Sequence, residues 1–144
     1  MVTPVRGSGP GSPRARLLLV EPDYVMRRTV AMTARSTEIA EITEASTYER
    51  AREIALRQAF DGLIVSLDGA GAGLDLLTRV RSGASASDIA VPVAVLTDRI
   101  DAATVLTLRT HTVARVVVKP CKVKTLMECI AALARTNTAA DAAA

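Results

Sequence analysis

The sequence predicts a doubly wound α/β fold, in which one five-stranded parallel sheet carries helices on both faces. Short apolar runs typical of buried strands alternate along the chain with segments whose apolar residues recur at helical spacing. Strict alternation indicates a parallel sheet, because each parallel connection needs a crossover helix. At 144 residues the chain has the length of one domain. We therefore predict a single domain built as (βα)5.

The first two strand–helix units lie in the first third of the chain. Residues 17–20 are an unbroken apolar run, as expected of a strand buried on both faces. Asp23 is placed to cap a helix predicted over 24–35. A weaker strand is predicted over 39–45, and the helix that follows begins at Thr47.

The remaining three units repeat the same order. The third predicted strand, 62–66, leads through a glycine-rich turn into an amphipathic helix. The fourth strand, 92–96, precedes a helix that Asp101 can cap, with Leu106 predicted to face the core. The fifth strand is the β-branched run 116–118, and a last amphipathic helix completes the domain.

Two segments without a packing pattern flank the predicted domain, which spans 16–135. Residues 1–15 are rich in Gly, Pro and Ser and are predicted to form a disordered leader. Residues 136–144 carry little that could pack and are predicted to fray. Too few residues follow the last helix for a DNA-binding unit, so we expect a stand-alone domain.

The composition argues against several kinds of site. No apolar run of about 18 residues is present, so we expect neither a membrane span nor secretion. We expect a cytoplasmic location instead. Cys121 and Cys129 would lie about 12 Å apart along one helix, too far for a disulfide, and no metal site is predicted. The net charge of +3 is scattered and aromatic residues are few, so nucleic-acid binding is not expected. The single histidine, His111, is predicted to lie at the surface.

Polar side chains follow four of the predicted strands at their carboxyl ends, which is where open parallel sheets form their sites. In chain order the strand-end residues, two of which are prolines, are Glu21, Pro22 and Asp23, then Ser66 and Asp68, then Thr97 and Asp98, and finally Lys119 and Pro120. They are expected to converge on one edge of the sheet.

This pattern resembles the receiver domain of bacterial response regulators, whose fold is flavodoxin-like. The resemblance runs from about Arg16 to about Leu133 and includes the acidic turn at 20–23, the third strand at 60–66 and the Lys119–Pro120 pair. It implies an aspartate at the end of the third strand that accepts a phosphoryl group, and a Mg²⁺ ion held by acids after the first strand. It also implies a lysine and a hydroxyl residue that bind the phosphate.

Two positions match the family and two depart from it. Lys119 and Thr97 stand where the family has its lysine and hydroxyl residue. Glu21 and Pro22 stand at the two acidic positions, and a proline side chain offers no oxygen. Ser66 stands at the acceptor position, and a serine hydroxyl cannot form an acyl phosphate.

An alternative alignment makes Asp68 the phosphoacceptor. It requires the loop after the third strand to be about three residues shorter than in the family, which is similar to the error of about two to four residues in strand ends predicted from sequence. In that alignment a Mg²⁺ ion would be required; otherwise no cofactor is expected. With Ser66 at the acceptor position, we expect Glu21 to hydrogen-bond Lys119 in place of phosphate. Asp68 would then face solvent in the following loop.

The resemblance implies a function in two-component signal transduction. We expect an atypical receiver that is not an enzyme and acts by binding a histidine kinase, another regulator or a second copy of the chain. The face implied for such a partner comprises Val105, Leu108, Val116, Lys122 and Leu126. A remote alternative is a flavodoxin-like cofactor-binding enzyme, disfavoured because the loop at 21–23 is acidic and lacks a phosphate cradle.

Overall fold

The computed structural model describes the backbone of residues 14–143 and the side chains of residues 14–135. Five strands alternate with five helices in these residues. All strands pair in parallel in one sheet, in the order β2-β1-β3-β4-β5. The predicted doubly wound (βα)5 fold is confirmed.

The strands are β1 Ala15–Val20, β2 Ala40–Ala45, β3 Gly62–Ser66, β4 Val93–Thr97 and β5 Arg115–Val118. The helices are α1 Tyr24–Thr37, α2 Tyr48–Arg57, α3 Ala72–Arg81, α4 Ala102–Thr110 and α5 Val123–Ala143. The predicted strands lie within one residue of these bounds at each end, except that β1 begins two residues before the predicted run 17–20. The two predicted caps are present, since Asp23 and Asp101 each accept a hydrogen bond from the backbone N–H three residues further on. Thr47, where the second helix was predicted to begin, caps α2 in the same way.

The first strand and the last helix extend beyond the predicted domain limits. Ala15, assigned to the leader, is the first residue of β1, and its N–H donates to the carbonyl of Ile39. The rest of the predicted leader, up to residue 13, lies outside the described residues. Helix α5 continues to Ala143 and so passes through the segment 136–144, whose fraying stays a prediction.

The core lies on both faces of the sheet, because alternate residues of each central strand point to opposite sides. Leu17 and Leu19 join α1 and α5 on one face, and Leu18 and Val20 join α2 and α3 on the other. Every residue of β3 and β4 is buried. With both faces covered by helices, the ends of the strands are where polar side chains can gather.

Helix α4 is turned differently from the prediction. Leu106 is 64% exposed, and Leu108 is the buried residue of this helix. Leu126 of α5 is buried as well, so Leu108 and Leu126 pack in the core and cannot serve as partner contacts. Apolar periodicity alone could not distinguish the two faces of α4, because apolar residues occur all around it. Val116 and Lys122 are exposed, and the partner role of this face stays a prediction.

Arg81, the last residue of α3, holds two loops together. Its guanidinium donates to the carbonyls of Ile89 and Val91 before β4, at 2.7 and 2.8 Å. It also donates to the carbonyls of His111 and Thr112 after α4, at 2.8 and 3.3 Å. These loops lead into β4 and β5, so Arg81 fixes the entry of two strands.

Replacing Arg81 with methionine is expected to lower the free energy of unfolding by about 2 kcal/mol, because carbonyls lose charged donors and are left poorly satisfied. Arg79→Met is the matched control, since the Arg79 side chain forms only an exposed ion pair with Asp75 on the same helix. That control should cost less than about 0.5 kcal/mol. Urea denaturation of both variants measures the difference, and equal losses would show that the Arg81 contacts contribute nothing specific.

Candidate functional site

The carboxyl ends of the strands bring the predicted polar residues to one edge of the sheet. The register aligns Val20 with Val65, Ser66 with Leu96 and Thr97 with Val118, so the strands end nearly level. Lys119 follows β5 directly, and its peptide bond to Pro120 is cis.

Lys119 joins the ends of three strands. Its Nζ donates to Glu21 Oε1 after β1 and to Ser66 Oγ at the end of β3, both at 2.8 Å. Glu21 and Ser66 are 1% and 2% exposed, so both partners are shielded from water. The predicted hydrogen bond between Glu21 and Lys119 is confirmed. The hydrogen bond from Lys119 to Ser66 was not predicted.

The second carboxylate oxygen of Glu21 is also engaged. Glu21 Oε2 accepts from the N–H of Asp23 at 3.0 Å, and this bond fixes the turn between β1 and α1. Arg27 closes the turn from the other side, because its Nη1 donates to the carbonyls of Glu21 and Pro22. Arg27 and Arg28 both pair with Glu44 of β2. Both side-chain oxygens of Glu21 thus have a donor within the protein.

The residues at this edge do not fit the Mg²⁺ ion that the family resemblance implies. A divalent cation of this kind needs several oxygen ligands, usually including carboxylates. Pro22 supplies no side-chain oxygen, and both oxygens of Glu21 already accept hydrogen bonds. Among the described residues, no three His, Cys, Asp or Glu side chains are grouped so that they could hold a metal. The cation paired with Glu21 is the ammonium of Lys119.

Tyr48, the first residue of α2, belongs to this edge although it was not among the site residues predicted from the sequence. Its hydroxyl donates to the carbonyl of Ser66 at 2.6 Å. Burial raises the pKa of Tyr48 well above its usual value, and the nearby carboxylates of Asp68 and Glu21 raise it further. The hydroxyl therefore stays protonated and remains a donor to the end of β3. The scarcity of aromatic residues was the one available signal.

Gly73 permits α3 to approach the end of β3 closely. A Cβ at this position would lie 2.7 Å from the carbonyl oxygen of Ser66 and 3.2 Å from Leu67 Cδ2. The first contact is with backbone, so any larger residue would have to displace α3 or the strand end. The Ser66 carbonyl thus lies between Tyr48 and Gly73, and its position is fixed from both sides.

Thr97 does not take part in the Lys119 network. It is buried, and its Oγ1 donates to the carbonyl of Arg99 at 3.0 Å and accepts from the Arg99 N–H at 3.3 Å. These bonds hold the turn after β4. Within residues 14–135, Thr97 forms no side-chain hydrogen bond with Lys119 or Ser66. Its hydroxyl therefore shapes the loop beside the site.

Asp68 lies two residues beyond the end of β3 and is exposed, as expected if Ser66 occupies the acceptor position. Its Oδ1 accepts from the N–H of Ala72 at 3.0 Å, at the start of α3. Asp68 also lines an open cleft of about 500 Å³ together with Asp98, Arg99 and Thr104. The hydrogen bonds of Lys119 go to Glu21 and Ser66 instead.

Two further residue types considered from the sequence do not form a reactive site. His111 is partly exposed at the end of α4, where its Nε2 lies 2.9 Å from Thr78 Oγ1 and its Nδ1 lies 2.9 Å from the Thr107 carbonyl oxygen. Burial raises the pKa of the Cys129 thiol to about 11, which Arg115 partly opposes. Burial also raises the pKa of Cys121, while Lys119 lowers it. Both thiols are therefore protonated at neutral pH and poorly nucleophilic.

No helix in the described part of the chain is long and apolar enough to cross a membrane. No protein-family model matches the sequence, and no curated protein sequence matches it. Similarity is found among solved structures.

The signal receiver domain of a putative Luxo repressor protein from Vibrio parahaemolyticus has a TM-score of 0.78 and 19% identity, covering 90% of this chain and 97% of that chain. The non-phosphorylated HemR receiver domain from Leptospira biflexa has a TM-score of 0.74 and 22% identity, covering 84% and 94%. The chemotaxis response regulator CheY4 of Vibrio cholerae has a TM-score of 0.73 and 20% identity, covering 83% and 98%. The resemblance found in the sequence is thus confirmed at the level of architecture, and the chain has the fold of response regulator receiver domains.

Proposed function

We propose that this chain is an atypical receiver domain in two-component signalling that acts by protein–protein contact without being phosphorylated. Lys119 supports this proposal most strongly, because its ammonium is already bound by Glu21 and Ser66. In the family that lysine binds the phosphoryl group. Here an internal ion pair with Glu21 occupies the lysine, so the edge resembles a receiver site that is closed by its own side chains.

The chemistry of Ser66 supports the same conclusion. An acyl phosphate forms on a carboxylate, and the Ser66 side chain offers only a buried hydroxyl. A serine nucleophile also needs a base to take its proton. Lys119 donates to Ser66 and is paired with Glu21, so it is not available as that base. Signalling through this domain would then depend on which protein it binds, such as a histidine kinase, another regulator or a second copy.

The test is incubation of the full chain with acetyl phosphate and Mg²⁺, followed by intact-mass analysis. We expect no phosphoryl group to be added. Stoichiometric, hydroxylamine-sensitive phosphorylation would overturn the proposal. Asp68→Asn and Ser66→Ala then locate any modified residue.

A second candidate function is a phosphorylatable receiver that uses Asp68. The exposure of Asp68 in a cleft at the carboxyl edge favours it, since a small phosphodonor could reach the carboxylate. The position of Lys119 speaks against it, because the lysine is held by Glu21 and Ser66. Phosphorylation that is lost in Asp68→Asn and retained in Ser66→Ala would establish this candidate.

A further inference from the structure

A shallow groove of about 700 Å³ runs along α5, away from the Lys119 site. One face of α5 forms its wall, with lining residues spaced three or four apart from Lys124 to Arg135. The lining is completed by Thr37 at the end of α1, Ile39 in the turn that follows it, and Arg115 at the start of β5. None of the residues that contact Lys119 lines this groove.

The floor of the groove is aliphatic and accessible. Ile39 is 39% exposed and Met127 is 42% exposed, which is a large fraction for apolar side chains of this size. Ala131, one turn beyond Met127, adds a small side chain that leaves room above it. Methionine adapts its shape to different partners more readily than other apolar residues do. The floor is therefore suited to aliphatic side chains from another molecule.

The rim of the groove is mostly positive. Arg115, Lys124 and Arg135 are all exposed, and within the described residues none of their side chains forms a hydrogen bond or an ion pair. Glu128 is the one acidic residue in the lining. Arg28 and Arg79, on other helices, are by contrast paired with acids on the same molecule. The groove thus combines free positive charge with an exposed apolar floor.

We propose that this groove binds an acidic peptide segment of a partner protein, one that places aliphatic side chains on the floor and carboxylates against Arg115, Lys124 and Arg135. Nucleic acid fits less well, because the lining contains no aromatic side chain for base stacking and the aliphatic floor offers nothing to phosphates. This surface differs from the predicted partner face around Val116 and Lys122. It does not depend on the state of the Lys119 site.

The test is an NMR titration of the ¹⁵N-labelled full chain with an amphipathic peptide built of leucine and glutamate. We expect saturable shifts at Ile39, Met127 and Ala131, and no comparable shifts with a leucine–lysine peptide. Arg115→Glu combined with Lys124→Glu should weaken binding by about tenfold or more, since these two rim positions would then repel the peptide's glutamates instead of attracting them. Met127→Ala should weaken it through the floor without changing the charge.

Arg52→Glu combined with Arg57→Glu is the control, because it changes the net charge equally on exposed residues of α2. Circular dichroism confirms that each variant is folded. The proposal is wrong if the peptide causes no shifts at the groove, or if the control weakens binding as much as the rim variant. It is also wrong if duplex DNA binds the same residues more tightly at physiological salt. Because no phosphodonor is present, failure here leaves the proposed function of the Lys119 site unaffected.

Discussion

Replacing Lys119 with methionine is expected to lower the free energy of unfolding by about 3 kcal/mol, because Glu21 is left as a buried carboxylate without its cation. The Lys119 side chain is 23% exposed and that of Glu21 only 2%, so water can reach the lysine far more easily than the acid. Without the lysine, the buried Glu21 carboxylate keeps its desolvation penalty and loses the attraction that offsets it, which lowers the free energy of unfolding. Urea denaturation measures the loss.

Lys122→Met is the matched control, because Lys122 is exposed and has no ion pair among the described residues. It should cost less than about 0.5 kcal/mol. Adding Glu21→Gln to Lys119→Met should restore much of the stability, giving a coupling energy of about 2 kcal/mol in the double-mutant cycle. If Lys119→Met costs no more than Lys122→Met, the ion pair does not hold the strand ends together.

The combined substitutions Pro22→Asp and Ser66→Asp are expected to convert a chain that takes up no phosphoryl group into one that is phosphorylated stoichiometrically with Mg²⁺ present. They place two new carboxylates beside Glu21, which gives the oxygen ligands that Mg²⁺ requires. A carboxylate at position 66 would also lie near Lys119 Nζ, since Ser66 Oγ is 2.8 Å from it. Intact-mass analysis after acetyl phosphate treatment measures the gain.

The control carries Pro22→Asp with Ser66→Asn, which matches the size of the new side chain but has no carboxylate to accept the phosphoryl group. It should remain unmodified. Modification of both variants would place the acceptor elsewhere, with Asp68 the first residue to examine. If neither variant is modified although both are folded, the differences from the family at positions 22 and 66 are not sufficient to explain an inactive site.

Most of the fold could be predicted because its signals are local. The run 17–20 is apolar without interruption, and Asp23, Thr47 and Asp101 each cap a helix through their own side chains. The predicted orientation of α4 was wrong. Leu106 and Leu108 are equally apolar, and only the packing of the neighbouring elements decides which of them is buried. Local pattern does not contain that information.

The candidate site could be predicted only where the fold itself brings residues together. Glu21 and Lys119 are 98 residues apart, and their contact followed from strand order and the family resemblance. The second bond of Lys119, to Ser66, depends on the exact reach of the side chain across the sheet edge. The roles of Tyr48 and Arg81 could not be anticipated, because both bind backbone carbonyls, and any residue type carries a carbonyl.

Binding of a phosphoryl mimic at the Lys119 site tests the central claim most directly. The measurement is an NMR titration of the ¹⁵N-labelled full chain with beryllofluoride and Mg²⁺, following the amides of Ser66, Thr97 and Lys119. If the network of Glu21, Lys119 and Ser66 keeps the site closed, none of these amides should show a saturable shift. Large saturable shifts at Thr97 and Lys119 would contradict it and show that the lysine can leave Glu21 to bind a phosphoryl group.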